Sequence, residues 1–436
     1  MRFLIFFVTI FLSSQAIAIQ TINVTHGNFD PIPIAINKFS SDSSADSALA
    51  EKILEVVTSD LKNSGLFRPI SPAAFIENKT GVDHRPLFAA WRQINATVLV
   101  NGKIKKLDSG TIELSFILWD IVAEKDIAGE VFEVPQKLWR RAAHKMADKI
   151  YERVTGDKGY FDTKIAYVSE TGPAMKQIKR IAVMDQDGAN HTFLTDGKNL
   201  VLTPRFSPKA DKLLYLAYTK GQKPRVHIRN LRTGKDSLLT NFPSMNFAPR
   251  FSPDGDKALI SIAKNGVTNI AEVNLHTGKI RMLTNGGAIN TSPSYSPDGH
   301  KIVFNSDRNG TRQLYVMNSD GSGVERISFG TGSYAEPAWS PRGDYIAFTK
   351  LGAGDFSIGV MRPDGNGERL ITNGYLVEGP TWAPNGRVII FAKGQPRYKK
   401  QSAMSAIYSI DITGYNERLL KTPKDASDPD WSRTLD

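Results

Sequence analysis

Beyond residue 160 the chain consists mainly of short apolar runs separated by turn residues. Representative runs occupy residues 301–304 and 345–348, and each is followed by a second run and then by a pair such as Asp320-Gly321 or Asp364-Gly365. Short β-rich runs bounded by turn chemistry predict antiparallel strands, and helical periodicity is absent from these windows. Four such runs in each unit predict a four-stranded sheet.

The motif Pro-x-aromatic-Ser/Ala-Pro-x-Gly recurs through this region, with degenerate first and last copies. Successive leading prolines are 45, 44, 44, 43 and 49 residues apart. A period of about 40–50 residues is typical of a propeller blade, and Ser-Pro-Asp-Gly suits a type I turn. The leading prolines are Pro204, Pro249, Pro293, Pro337, Pro380 and Pro429.

The two ends of the repeat region complement each other. Residues 161–195 contain the later strands of a unit without its Pro-x-aromatic strand, and the segment around Pro429 and Trp431 is that strand alone. Joining them gives a sixth blade and removes two exposed strand edges. The sequence therefore predicts a six-bladed β-propeller over residues 161–436, closed by its C-terminal strand.

Residues 19–160 follow a different pattern, with strands at 97–104, 112–120 and 127–134 after an initial strand from Asp30 to Phe39. A polar cap at 40–47 precedes an amphipathic helix that ends near Gly65, and a second helix is predicted over 136–154. The apolar face of the first helix carries Leu49, Ile53, Val56, Val57 and Leu61. We predict a small α/β domain here, so the chain is a multidomain α+β protein with a hinge at 155–159.

The first eighteen residues have the pattern of a secretory signal peptide. Arg2 precedes ten mostly apolar residues, and a small-x-small site at Ala16-Ile17-Ala18 predicts cleavage between Ala18 and Ile19. A membrane anchor is the alternative, but ten apolar residues are too short to cross a bilayer as a helix. The mature chain would begin with an N-terminal arm, residues 19–30, in the periplasm.

The chain has 436 residues, 55 basic and 44 acidic, and no cysteine. The absence of cysteine excludes disulfides, thiol nucleophiles, cysteine-ligated metals and a lipidated N-terminal cysteine. Residues 19–160 carry 18 basic and 18 acidic residues, so all of the positive excess apart from Arg2 lies on the propeller. An acidic partner or a solvated surface would both account for it, and export argues against nucleic acid.

Motifs for catalysis are absent from the sequence. It contains no Gly-x-Ser-x-Gly, no Walker A loop and no pair of histidines at metal-binding spacing, and Asp185-Gln-Asp187-Gly188 suits a hairpin turn better than a calcium loop. We predict a non-enzymatic protein without metal or cofactor. A propeller hydrolase, or a propeller associated with a peptidase, with its active site at the channel mouth remains the alternative.

Six loops precede the leading prolines, and the first strand of a blade is innermost. These loops should therefore form one ring at the mouth of the central channel, where binding function concentrates in a rigid scaffold. The alternative is that they only connect the blades. The loops span residues 201–203, 244–248, 289–292, 332–336, 376–379 and 424–428.

The junction between the two regions carries a specific resemblance. His144, Asp148, the Ile150-Tyr151-Glu152 run, Thr155-Gly156 and Gly159-x-Phe161 are similar, in order and spacing, to the TolB family of periplasmic propeller proteins of the Tol–Pal system. Asp60-Leu61-x-x-Ser64-Gly65 and Leu118-Trp119-Asp120 also fit this family pattern. The resemblance covers essentially the whole chain.

This resemblance implies a monomeric scaffold that binds the lipoprotein Pal at the propeller mouth and TolA through the arm. It reaches membranes only through its partners, which extend to other periplasmic or outer-membrane proteins. The Pal-binding candidates are Met245, where relatives often have His, with Asn246, Phe247, Ala248, Asn290, Thr291, Ser292, Tyr334, Glu336, Glu378 and Asp428. The TolA-binding candidates are Ile19, Thr21, Ile22 and Val24, whose alternation suits addition of a strand to a partner's sheet.

Overall fold

The structure is a computed structural model that describes residues 30–77, 81–107, 109–173, 176–240, 244–352, 354–396 and 404–435. The predicted signal peptide and its cleavage site at Ala18 and Ile19 lie outside these residues. The same holds for the TolA-binding candidates Thr21, Ile22 and Val24. Among the described residues, no helix is long and apolar enough to span a membrane.

The N-terminal part is a six-stranded sheet with helices packed on it, which agrees with the predicted small α/β domain, although the sequence predicts only four of its strands. Its path is β3-β1-β4-β5-β6, with β2 beside β4; β1 is parallel to β3 and β4, whereas β4, β5 and β6 are antiparallel. The strands are β1 (Ile32–Ile36), β2 (Ser40–Ser41), β3 (Phe67–Pro69), β4 (Val98–Lys106), β5 (Thr111–Asp120) and β6 (Lys125–Pro135). The helices are α1 (Ser44–Asn63), α2 (Phe88–Gln93) and α3 (Trp139–Thr155), with 3-10 turns at Pro72–Ala74 and Gln136–Leu138.

The bounds of several elements differ from the sequence prediction, and the sequence does not predict the short strands β2 and β3. The first strand ends at Ile36 instead of Phe39, and α3 begins at Trp139 because a 3-10 turn occupies the predicted first turn. Helix α1 begins at Ser44 because the Ser43 hydroxyl caps it, accepting a hydrogen bond from the Asp46 amide at 3.1 Å. Helix α2 is missed because six residues are too few to show a helical period.

The remaining strands form six four-stranded antiparallel blades, which confirms the predicted propeller. Blade 6 combines the C-terminal strand with the first three strands of the region, in the order β30-β7-β8-β9. The propeller strands in chain order are β7 (Lys164–Thr171), β8 (Ile178–Asp185), β9 (Thr192–Phe193), β10 (Leu200–Phe206), β11 (Lys212–Tyr218), β12 (Arg225–Asn230), β13 (Asp236–Leu238), β14 (Met245–Phe251), β15 (Lys257–Lys264), β16 (Val267–Asn274), β17 (Ile280–Met282), β18 (Asn290–Tyr295), β19 (Lys301–Ser306), β20 (Gln313–Asn318), β21 (Glu325–Arg326), β22 (Ser333–Trp339), β23 (Ile346–Leu351), β24 (Phe356–Met361), β25 (Arg369–Gly374), β26 (Leu376–Trp382), β27 (Val388–Gly394), β28 (Ser405–Asp411), β29 (Arg418–Leu419) and β30 (Asp425–Trp431). Blades 1 to 5 begin at β10, β14, β18, β22 and β26.

The segments predicted as mouth loops are largely the first halves of the innermost strands, so that part of the prediction is wrong. In every blade the pairing register shifts across the residue before the leading proline and the proline itself. This bulge lets the strand continue past a proline, whose missing N–H would otherwise break a ladder. The residues before the prolines all have a positive φ, and they are Thr203, Ala248, Ser292, Glu336, Gly379 and Asp428.

One apolar cluster joins the two parts of the chain. Tyr151 at the end of α3 packs edge-on against Tyr160 and Phe161, and Tyr160 packs edge-on against Trp431 of β30 at 5.7 Å between ring centroids. The indole N–H of Trp431 donates to the Thr163 hydroxyl at 2.8 Å. The strand that closes the propeller therefore also anchors it to the N-terminal sheet and helices.

Candidate functional site

The two ends of the propeller channel are not equivalent. Antiparallel strands place the turn after strand 1 and the turn after strand 3 at one end of each blade, and the start of strand 1 at the other. The ion pairs between the N-terminal elements and the propeller lie at the end that holds these two turns. We call this end the junction face. Arg342 of the Ser-Pro-x-Gly turn in blade 4 pairs with Asp157 at 2.8 Å, and Arg140 of α3 pairs with Asp187. The opposite end, the mouth face, holds the ring of residues before the leading prolines.

Side chains of this ring connect neighbouring blades. The Asp428 carboxylate accepts a hydrogen bond from the Thr203 amide at 3.3 Å, and the Glu336 carboxylate accepts one from the Gly379 amide at 2.8 Å. In both cases a side chain of one blade satisfies an inner-strand N–H of the next blade, which has no ladder partner. The ring is therefore held rigid by the same residues that line it.

Three carboxylates converge on one side of the mouth. Burial, together with the negative charges of Glu336 and Asp428, raises the pKa of Glu378 to about 7. Glu336 also accepts from the Thr349 hydroxyl at 3.0 Å, whereas Glu378 makes no hydrogen bond to the residues that the structure describes. This side of the mouth therefore favours a positively charged group, and the positive excess of the propeller lies elsewhere on its surface.

The other side of the mouth, in blades 2 and 3, is apolar and hydroxyl-bearing. Met245, Phe247 and Ala248 of β14 and Thr291 and Ser292 of β18 are all half-buried, so each keeps some accessible surface. None of these side chains is charged. The structure thus places eight of the predicted Pal-binding residues in the ring or beside it. They form an acidic side and a neutral side of the mouth.

Three further predicted residues are buried between strands instead. Asn246 and Asn290 are 1% exposed and Tyr334 is 0% exposed. The Asn246 side-chain oxygen accepts from the Val226 amide at 2.8 Å, the Asn290 side-chain amide donates to the Thr268 carbonyl at 3.2 Å, and the Tyr334 hydroxyl donates to Glu368 at 2.9 Å. The two asparagines connect neighbouring blades and the Tyr334 bond lies within blade 4, and all three residues present almost no surface to a partner.

Two residues at the mouth are absent from the predicted Pal-binding set, although Thr203 lies in the predicted loop 201–203. Thr203 occupies the same position before Pro204 as the other ring residues, and that register could have identified it. Glu170 of β7 adds a negative charge beside Glu378 and is paired with Lys179 at 2.7 Å. Glu170 lies outside the repeated motif, and only the joining of β7 to β30 brings it to the mouth.

A buried charged cluster lies at the junction face. His144 of α3 donates from Nδ1 to Asp60 of α1 at 2.6 Å, and its Nε2 lies 4.0 Å from Asp187. Gln186 donates to the other oxygen of Asp60 at 2.7 Å. The negative charges of Asp60 and Asp187 outweigh burial and raise the pKa of His144 to about 9. Asp60, His144 and Asp187 are close enough to hold a metal, but the imidazolium bonded to Asp60 and the Arg140 bonded to Asp187 already neutralise both carboxylates.

Comparisons with known proteins agree along the whole chain. The model of the TolB amino-terminal domain matches residues 20–127, and that of the TolB beta propeller domain matches residues 151–435. The Tol-Pal system protein TolB of Rickettsia bellii is 58% identical over the full length of both chains, and that of Rickettsia conorii is 60% identical over the same extent. A crystal structure of TolB from Acinetobacter baumannii has a TM-score of 0.81 at 26% identity and covers 94% of this chain and 98% of that chain. The chain therefore belongs to the TolB family and is a component of the Tol–Pal system.

Proposed function

We propose that the protein is a non-enzymatic periplasmic scaffold that binds Pal at the mouth of the propeller channel and TolA through the arm, residues 19–30. Its role is to connect the inner-membrane machinery to Pal, for outer-membrane integrity and constriction during cell division. Within this proposal the domains divide after residue 160, with the signal peptide at 1–18. The observation that carries the proposal is the rigid ring on the mouth face, which the N-terminal elements leave open.

The ring suggests how a partner would bind. A loop that places a lysine or arginine against Glu378 and an apolar side chain against Phe247 would satisfy both sides of the mouth. Burying Glu378 beside a cation would favour its charged form, which Glu336 and Asp428 now disfavour. In this arrangement the partner supplies the positive charge at the contact itself. The positive charge on the rest of the propeller surface acts on the partner at longer range.

The arm lies outside the described residues, but the point from which it extends is defined. Pro31 lines a cleft of about 640 Å³ between the N-terminal sheet and blade 5, where Arg387 and Asp411 form the opposite wall. Pro31, next to the first described residue, therefore lies at the junction face, on the other side of the propeller from the mouth. Two partners bound at the mouth and at the arm would not compete for the same surface.

A pull-down from periplasmic extract tests the proposal, using mature protein with and without residues 19–30. We expect both forms to recover the lipoprotein and only the full form to recover TolA. Recovery of no lipoprotein would contradict the proposal. Turnover of peptide or lactone substrates that is lost on Glu378→Gln would instead favour the propeller hydrolase.

A further inference from the structure

The junction-face end of the channel contains a second charged level. The residue after each leading proline lies two positions further along the strand than the ring residue, or about 6–7 Å deeper. A cavity of about 180 Å³ opens here. The six residues at this level are Arg205, Arg250, Ser294, Ala338, Thr381 and Asp430.

Two arginines at this level share one carboxylate. Asp430 Oδ1 lies 3.1 Å from a guanidinium nitrogen of Arg250 and 3.9 Å from one of Arg205. The second oxygen of Asp430 accepts from the Phe206 amide at 2.8 Å, so it is already used. Arg205 also donates to the Pro204 carbonyl at 2.7 Å. Among themselves the three side chains carry one excess positive charge, and the Glu336 carboxylate of the ring is a further negative charge that acts on Arg250.

Two guanidinium groups held close together are costly in a site with little solvent. Arg205 and Asp430 are buried, and Arg250 is half-buried. Burial and the positive charge of Arg205 lower the pKa of Arg250 to about 9, although Asp430 and Glu336 act in the opposite direction. A second negative charge beside the two guanidinium groups would relieve their repulsion, and Arg forks match the planar oxygens of carboxylate and phosphate.

Hydroxyl groups at the same level supply neutral donors from other blades. Thr381 is 4% exposed, and its hydroxyl has no hydrogen-bond partner among the residues that the structure describes. The Ser294 hydroxyl oxygen accepts from the Trp339 amide at 3.2 Å, so its proton is available to donate. A buried hydroxyl without a partner costs free energy that a bound acceptor would recover.

We propose that this cavity binds one small oxyanion, a carboxylate or a phosphate, between Arg205 and Arg250, with Thr381 and Ser294 donating to its remaining oxygens. The volume admits a small solute anion and excludes a folded partner. The site lies about 6–7 Å from the ring, toward the junction face, and its test does not require the proposed binding of Pal. Free phosphate and free carboxylate share the required chemistry, and separate titrations distinguish them.

The test is a titration of the mature protein with inorganic phosphate and, separately, with acetate, at constant ionic strength set with chloride. We expect a saturable rise in the thermal unfolding midpoint with at least one of the two anions, and saturable broadening of the phosphate 31P resonance if phosphate is the ligand. Arg250→Gln should abolish the saturable response. Arg232→Gln, which removes an equally charged but exposed side chain of a surface turn, should leave it unchanged.

A second variant keeps the proposal testable if Arg250→Gln does not fold. Thr381→Val keeps the shape of the side chain and removes a hydroxyl without a partner, so we expect binding about five- to tenfold weaker with the unliganded midpoint unchanged or raised. Absence of a saturable response to both anions in the wild-type protein would overturn the proposal. An undiminished response in both Arg250→Gln and Thr381→Val would overturn it as well.

Discussion

Replacement of His144 by alanine should destabilise the junction between α1, α3 and the propeller. The side chain is 2% exposed and bonds Asp60, which is 1% exposed and would keep only Gln186 as a partner. Removing one member of a buried ion pair leaves an uncompensated charge, which typically costs about 3–5 kcal/mol. Arg140 still pairs with Asp187 in the variant, so the loss concentrates on Asp60.

The pKa of His144 gives the pH window of this effect. The pKa rises from an ordinary 6.5 to about 9 on folding. Burial raises the pKa of its partner Asp60, so the pair as a whole gains less stability than the shift of His144 alone would give. Because the folded-state pKa is the higher one, the stabilisation is fully present below pH 6.5 and is lost as the pH rises to 9.

Urea unfolding followed by tryptophan fluorescence, repeated from pH 6 to pH 9.5, measures both effects. We expect His144→Ala to lose about 3 kcal/mol at pH 6, and to lose the decline of stability between pH 6.5 and 9 that the wild type shows. His276→Ala is the matched control, because His276 pairs with Asp256 on the surface, with side chains 71% and 59% exposed. The control should change stability by less than about 0.5 kcal/mol. A His144→Ala variant that matches this control at every pH would refute the reasoning.

Three further substitutions probe the closure of the ring, the junction and the mouth. Trp431→Ala removes a side chain that is 6% exposed and packed on Tyr160, and should lower the free energy of unfolding in urea by about 3–5 kcal/mol. A decrease below about 1 kcal/mol would contradict the anchoring role of β30. Gly159→Ala would drive a Cβ into Asp148, which accepts the amides that begin the propeller, so its thermal midpoint should fall well below that of the wild type; an unchanged midpoint would contradict the close packing. Glu378→Gln should stabilise the protein by about 1–3 kcal/mol above pH 7 and leave it unchanged at pH 4, because the raised pKa of Glu378 favours the neutral form; equal stability at pH 8 would contradict this.

The repeat made the propeller predictable from the sequence. Evenly spaced prolines define the blades, and the split between Pro429 and the region after residue 160 shows how the ring closes. The bulges were not predictable in the same way. A proline normally ends a ladder, and only the positive φ of the preceding residue, as at Ala248 and Ser292, lets the strand run through it.

The candidate site was predictable in position and less so in detail. The register before each proline places Glu336, Glu378 and Asp428 together, although they are far apart in the chain. Asn246 is buried whereas its neighbour Phe247 is partly exposed, because alternate residues of a strand face opposite sides. Which side faces the channel depends on the bulge, and the sequence alone does not show it.

The affinity for purified Pal of two mouth variants tests the central proposal most directly. Phe247→Asp and Met245→Glu place a negative charge on the neutral side of the mouth, and Leu238→Asp places the same charge on an exposed outer strand of blade 1. With unfolding midpoints confirming that all three fold, we predict that the mouth variants bind at least about 100-fold more weakly, as expected for central contact residues. Leu238→Asp should bind within about threefold of the wild type. Mouth variants that bind Pal as tightly as the Leu238 control would contradict the proposal that the mouth face is the binding surface.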